Sequence, residues 1–459
     1  MELKRQLGMK TATLIVVASM IGTGIFITTG TVLGMTFNAK TILILWVIGG
    51  IVAITGSLCY AELATMWPHV GGEYIYLKKI FGLLPSFLTG WISLVVGFSA
   101  SIATSAITFV DYIDQFYQSA FGVTAQASIF ASPWLQKSIA AGIILLLGAV
   151  HIHGVKSGSR IQNGLTVLKL LIVVTLIGFG LYFADWSQAG RLIAEYTPPA
   201  NSAEVDISVI GLTLLIIMFS FSGWNGASYI AGEIKNPEKY LPKALLFGTL
   251  LTLTVYLLLN VVFLMSAPGS VIMGKEAIGA ISTQNLFGKD ASNFYTLGIA
   301  VILLSSISVQ MMIGPRVYFA MAKDKMIFKM LSRINPRFHS PSISIVIQIL
   351  LAILYVYIGN AKTLMEYMGF SLSIFPVLTV IGLMYMRYKH PEIHRPYKVP
   401  FYPWVPLIFI ILSVGMMIAA LLAWTNTCKV AIIVVLAGIP VFYLWRKFAN
   451  SKDDDIQSE

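Results

Sequence analysis

The chain has 459 residues, 57% hydrophobic and 11% charged, against roughly 25% charged in ordinary soluble domains. So much apolar surface excludes a water-soluble globular protein, and no stretch between the apolar runs is long enough for a separate soluble domain. The net charge of +11 does not require nucleic acid: of 31 Lys and Arg, 23 lie in segments on the N-terminal side of the predicted membrane spans and seven on the other, with Lys169 inside a span.

Twelve spans are predicted, at roughly 11–34, 41–66, 84–117, 137–156, 160–184, 205–232, 239–267, 291–322, 341–359, 363–387, 402–424 and 427–446. The third and eighth are long enough to tilt strongly or to run past the bilayer. The charge bias puts both termini in the cytosol of a multi-pass cell-membrane protein. The organisation reads as one membrane domain over 1–459: a cytosolic N-terminus (1–10), a first five-span half (11–184), a second (205–387), two further spans (402–446) and a polar cytosolic tail (447–459). That tail, with Asp453-Asp454-Asp455, reads as disordered. The first span has no small-residue cleavage site and reads as an uncleaved signal-anchor.

Glycine interrupts the first span of each half, at Met20-Ile21-Gly22-Thr23-Gly24-Ile25-Phe26 and at Phe219-Ser220-Phe221-Ser222-Gly223-Trp224. Glycine costs a helix about 1 kcal/mol relative to alanine, so unwinding is easiest there. Non-helical backbone at membrane depth persists only where protein buries it or a water-filled cavity accepts it. Paired interruptions in corresponding spans point to a transporter's substrate site. Free N–H groups and the positive end of a half-helix suit a carboxylate, and unpaired carbonyls suit an ammonium. Together, the two breaks could hold an α-amino acid zwitterion without a charged side chain. The alternative is close helix packing through small residues. Phe219 and Phe221 border the second break, where a ring could close over a ligand or pack into the core.

Lys169 is an intramembrane cation and so a functional candidate. It could release a proton, or its ammonium could take the place of a coupling cation. Lying only about five residues, or roughly 7–8 Å, past Gly164 at the start of the apolar run, it could also snorkel to the surface. Glu62 and Glu366 read as interfacial and structural. His151-Ile-His153 lacks further metal ligands and reads as an interfacial helix end. Cys59 and Cys428 make no disulfide framework. There is no HExxH helix, phosphate-binding loop or Cys/His cluster. Neither an enzyme nor a cofactor or metal is expected, and with no ATP-binding domain on this chain transport would be secondary.

Further motifs add to these. Gly22-Thr23-Gly24-Ile25-Phe26 resembles the first-span Gly-Ser-Gly-Ile-Phe pattern of the amino acid–polyamine–organocation superfamily, with Thr23 for Ser. Pro68-His-Val-Gly71-Gly72-Glu73-Tyr74, Phe221-Ser-Gly-Trp224-Asn225 with Gly232-Glu-Ile-Lys-Asn236-Pro237, Gly314-Pro315-Arg316 with Ala322-Lys-Asp324, and Arg395-Pro396-Tyr-Lys398-Val-Pro400 resemble its later motifs in order. The nearest resemblance is to bacterial permeases related to the light subunits of heteromeric amino acid transporters.

The resemblance implies an all-α fold: an inverted five-plus-five repeat, as in the sodium-coupled leucine transporter, with two peripheral helices. It implies that Thr23 and Gly24 bind the substrate carboxylate. Carbonyls of Met20, Ile21, Phe219 and Ser222 would take the α-amino group, and Phe219 would be an aromatic gate. Lys169 would stand where sodium binds in relatives, which implies sodium independence. Ser222 departs from the Asp of many relatives. The loop from Tyr117 to Gln136 lacks the Cys used to link a heavy chain, so no disulfide-linked partner is expected; the protein would be a monomer or a non-covalent homodimer. The expected substrates are neutral L-amino acids, carried by exchange or proton symport, since no charged residue is evident near the breaks. The alternatives are a cationic amino acid or polyamine permease, or an amino acid sensor or channel-like protein.

Overall fold

The structure, a computed structural model, describes residues 3–198, 205–275, 278–359, 361–422 and 426–457; the side chains of 361–371, 426–427 and 449 onward lie outside that description, and Glu366 with them. In hydrocarbon every backbone N–H and C=O must be paired internally, so apolar runs of this length become helices. Among the described residues ten helices are long and apolar enough to cross a membrane. Ser342–Ile358 and Ala361–Lys389 occupy the positions of the predicted ninth and tenth spans. The chain is an all-helical, multi-pass membrane protein. Side chains cap the starts of the second and sixth spans. Asn38 Oδ1 accepts from the Thr41 amide at 2.9 Å, and Asp206 Oδ1 accepts from the Ser208 and Val209 amides at 3.0 Å.

The first span (Met9–Met20 continuing at Thr23–Thr36), the third (Leu83–Phe121) and the eighth (within Ile278–Lys323) form the centre. Between 72% and 78% of their apolar windows is buried, against 22% for the last span, so that helix lies at the periphery. The third span contains a π-helical segment, Ser93–Phe98. Such a bulge frequently marks a functional site, and this one faces the cavity described below.

Several boundaries differ from expectation; the fourth span, for example, runs Pro133–Ile152, four residues early at both ends. The fifth span runs Val155–Phe183 and starts five residues early. Lys169 therefore lies fourteen residues, about 21 Å, along its helix. The eighth span is preceded by an extra helical segment, 278–287, which runs into it across Gly288 at φ +78°. The last helix, Asn426–Gln457, carries its backbone through the acidic tail instead of ending near 447, because a nucleated helix extends at the cost of one residue per hydrogen bond.

Candidate substrate site

Both predicted interruptions are breaks in the helix. In the first span Ile21 (φ −73°, ψ 100°) and Gly22 (φ −142°, ψ −147°) separate the half-helices. In the sixth the helix Ile207–Phe221 stops at Ser222 (ψ 140°), Gly223 has φ +96°, and the chain resumes as a 3-10 segment, Gly226–Glu233. Gly223 is required twice over. Its φ is in the left-handed region, and a Cβ there would lie 2.6 Å from Ser19 Cβ and 2.8 Å from Ser19 O. The two broken spans thus meet backbone to backbone. Gly24 makes the reciprocal approach: its Cβ would lie 2.5 Å from Ser220 Oγ and 2.7 Å from Ser220 Cα.

A cavity of about 80 Å³ opens beside the second break, well above the 10–15 Å³ a single water needs. The break supplies Phe219, Ser222 and Gly223. The third span's bulge supplies Ser93, Gly97 and Phe98, and Gln310 lines it from the eighth span. Gln310 Nε2 donates to Ser101 Oγ at 3.1 Å, while its Oε1 is buried without a partner among the described residues. An unsatisfied buried acceptor costs about 1–3 kcal/mol, which a ligand N–H or O–H at this wall would recover.

Glu73 also lines the cavity, from the short helix Glu73–Phe81 between the second and third spans. It is buried and makes no ion pair among the described residues; Tyr60 and Thr89 donate their hydroxyls to its two oxygens. Burial pushes its carboxyl up to about 7, against the lowering effect of those hydrogen bonds.

Lys169 is fully buried, so it does not snorkel. Its Nζ donates to Ala18 O at 3.2 Å, to Ile21 O and to Ser306 Oγ at 3.1 Å. It therefore joins the fifth span to the first break and to the eighth span. The Ser306 hydroxyl donates to Ile21 O as well, at 3.2 Å.

Of the predicted site residues the cavity gathers Phe219, Ser222 and Gly223, but not Met20, Ile21, Gly22, Thr23, Gly24 or Phe221. The Ile21 carbonyl is taken by Lys169, and the Met20 carbonyl accepts from Tyr256 OH at 2.5 Å. Tyr256 OH also lies 2.7 Å from Ser220 O, tying the two breaks together. The Phe221 ring turns into the core, 5.5 Å from Trp46 and 5.2 Å from Tyr256 between centroids. Residues two apart on a helix point about 200° apart, so Phe219 and Phe221 cannot share a face.

Glu62 is fully buried, four residues before the second span ends at Met66, and its contacts are structural. Arg387 grips its carboxylate, Arg395 lies 3.3 Å away, and the Val399 amide donates at 2.7 Å. The Arg395-Pro396 motif is thereby anchored to the second span. His151 is also buried, with Nε2 2.9 Å from Ser308 Oγ, whereas His153 is exposed. Among the described residues no group of three or more His, Cys, Asp or Glu could hold a metal. Sequence reasoning does not bring Gln310 or Glu73 to the site. The Gly71-Gly72-Glu73 motif is the sequence signal for Glu73 and gives no direction, and no motif singles out Gln310.

Interrupted spans that meet beside a polar cavity at the centre of a polytopic bundle define a membrane protein of the transporter type. The chain belongs to the amino acid permease family, whose model matches residues 7–445, in agreement with the motif resemblance. It is 30% identical to the serine/threonine exchanger SteT of Bacillus subtilis (strain 168), over 97% of this chain and 98% of that one. It is 28% identical to the b(0,+)-type amino acid transporter 1 of Mus musculus (97% and 88% covered) and to the large neutral amino acids transporter small subunit 2 of Mus musculus (99% and 84%).

Proposed function

We propose that this chain is a secondary transporter of neutral L-amino acids, working by sodium-independent exchange with both termini in the cytosol and no enzymatic activity. One observation carries the coupling part: the Lys169 ammonium lies against Ala18 O, Ile21 O and Ser306 Oγ, holding the broken first span as a bound cation would. Substrate occupies the cavity beside the second break. Ser222 and the backbone around Gly223 meet its polar end, the free Oε1 of Gln310 accepts from it, and the Phe219 ring covers it. The first break acts from behind, as the packed partner that moves with the sixth span, and alternating access is the rocking of this pair against the remaining spans. The names of the relatives support this reading, among them an exchanger of serine and threonine.

A cationic amino acid is the second reading, favoured by Glu73, a buried carboxylate at the cavity wall with no cation paired to it among the described residues. Competition separates the two. Uptake of labelled serine into proteoliposomes should be blocked by unlabelled serine, threonine or alanine and not by arginine. Strong block by arginine, lost in Glu73→Gln, would reverse the assignment.

A further inference from the structure

At the end of the bundle that carries the N-terminus lies a second cavity, of about 540 Å³, with no part in the substrate site. Its walls come from three segments far apart in sequence. The N-terminal segment supplies Lys4 and Arg5, the first turn of the fifth-span helix supplies Lys156, and the loop before the ninth supplies Arg337. His153 and His339 also line it, and Lys4 Nζ lies 3.5 Å from His339 Nε2. No carboxylate lines the cavity, and none of the four cations has an ion-pair partner among the described residues. The fifth-span helix also starts at this wall, at Val155, and adds its positive end.

Charge that merely sets topology needs to lie on this side of the membrane, but it need not converge. Convergent cations in a concave space repel one another unless an anion joins them. A guanidinium fork and several ammonium groups match the oxygens of phosphate. We propose that this cavity binds a phosphate-class anion, either an anionic lipid headgroup or a soluble phosphate compound. Occupancy would tie the N-terminal segment to the fifth and ninth spans. That segment is already joined to the end of the sixth span, through the Gln6 and Leu7 amides on Glu233 O at 2.8 and 2.9 Å and the Lys235 amide on Leu7 O at 2.8 Å. A bound anion would therefore restrain the broken sixth span from its cytosolic end.

The test uses the full chain with two probes at constant ionic strength: sodium pyrophosphate, read by thermal shift, and phosphatidylglycerol against phosphatidylcholine in mixed micelles, read by native mass spectrometry. Lys156→Gln/Arg337→Gln removes two exposed cations from the cavity, Lys4→Gln/Arg5→Gln removes the opposite wall, and Lys239→Gln/Lys243→Gln removes two exposed cations outside it at the same end. Saturable binding that weakens about tenfold or more in both cavity variants, on the scale of one charge-assisted hydrogen bond, and not in the outside variant supports the site. Pyrophosphate binding identifies a soluble ligand, and selective phosphatidylglycerol retention alone identifies a headgroup. No saturable binding of either probe, or equal weakening in the outside variant, overturns the proposal.

Discussion

Replacing Lys169 by alanine separates its proposed coupling role from simple packing. Three contacts disappear: to Ala18 O, to Ile21 O and to Ser306 Oγ. Ile21 O keeps the Ser306 hydroxyl, so the unsatisfied load falls on Ala18 O, at about 1–3 kcal/mol. Loss of the stem removes buried methylenes at about 0.8 kcal/mol each. Against both stands relief from desolvating an ammonium, several kcal/mol in a buried site. These terms oppose one another, so the folded protein should persist with a modest shift in thermal midpoint. The alignment of the first break has no such compensation, because its ties to the fifth and eighth spans are cut together. A 1–3 kcal/mol bias away from the aligned state lowers transport about 5- to 150-fold. Lys169→Met, which keeps most of the stem, should lose transport equally while recovering the stability. The assay is serine counterflow in proteoliposomes, normalised to folded protein, in sodium and in choline. Full activity of Lys169→Ala, or strong sodium stimulation of the wild type, would leave Lys169 a packing residue with no part in coupling.

Gly24→Val should yield little folded protein, because its Cβ would meet the Ser220 backbone at 2.7 Å and overpacking costs at least about 1–3 kcal/mol; size-exclusion and thermal midpoints check this, and a well-folded variant that only fails to bind would put ligand at Gly24 instead. Phe219→Ala should weaken substrate affinity and broaden the competition panel while leaving stability near wild type, since the ring is only partly buried; an unchanged panel removes Phe219 as a gate. Glu73 has a folded-state value near 7 against an ordinary 4.5, so the native state holds its proton more tightly than the unfolded chain and stability falls as pH rises from about 4.5 to 7, by up to about 3 kcal/mol, and then levels off. Glu73→Gln should flatten the thermal midpoint profile between about pH 4.5 and 7; an unchanged slope assigns it to another group.

The spans were legible because bilayer length and apolar run are the same signal, and the breaks because glycine and serine interrupt that signal at corresponding points. Lys169 was visible as an intramembrane charge, but its depth was not. The fifth-span start is set by Gly154 and the chain around it, while the apolar run begins several residues later. The cavity wall was the least legible part. Gln310, Ser101 and Glu73 lie on different elements, and only the packing of the third and eighth spans and of the short helix at Glu73 brings them together. Nor does sequence say which exposed-looking carbonyl is already taken. Tyr256 and Lys169, more than 140 residues from the first break, occupy Met20 O and Ile21 O. The separation of Phe219 from Phe221, by contrast, was available from helical geometry alone.

Counterflow in proteoliposomes tests directly whether this protein exchanges amino acids through the cavity at the second break. Vesicles containing the purified protein and preloaded with unlabelled L-serine should accumulate external labelled L-serine transiently and above vesicles without preloaded serine, to the same extent in sodium and in choline. Ser222→Trp, which fills the cavity at the second break, should abolish that accumulation. Accumulation no greater than in protein-free liposomes for serine, alanine, leucine and arginine alike, or undiminished counterflow with the cavity filled, would contradict the account.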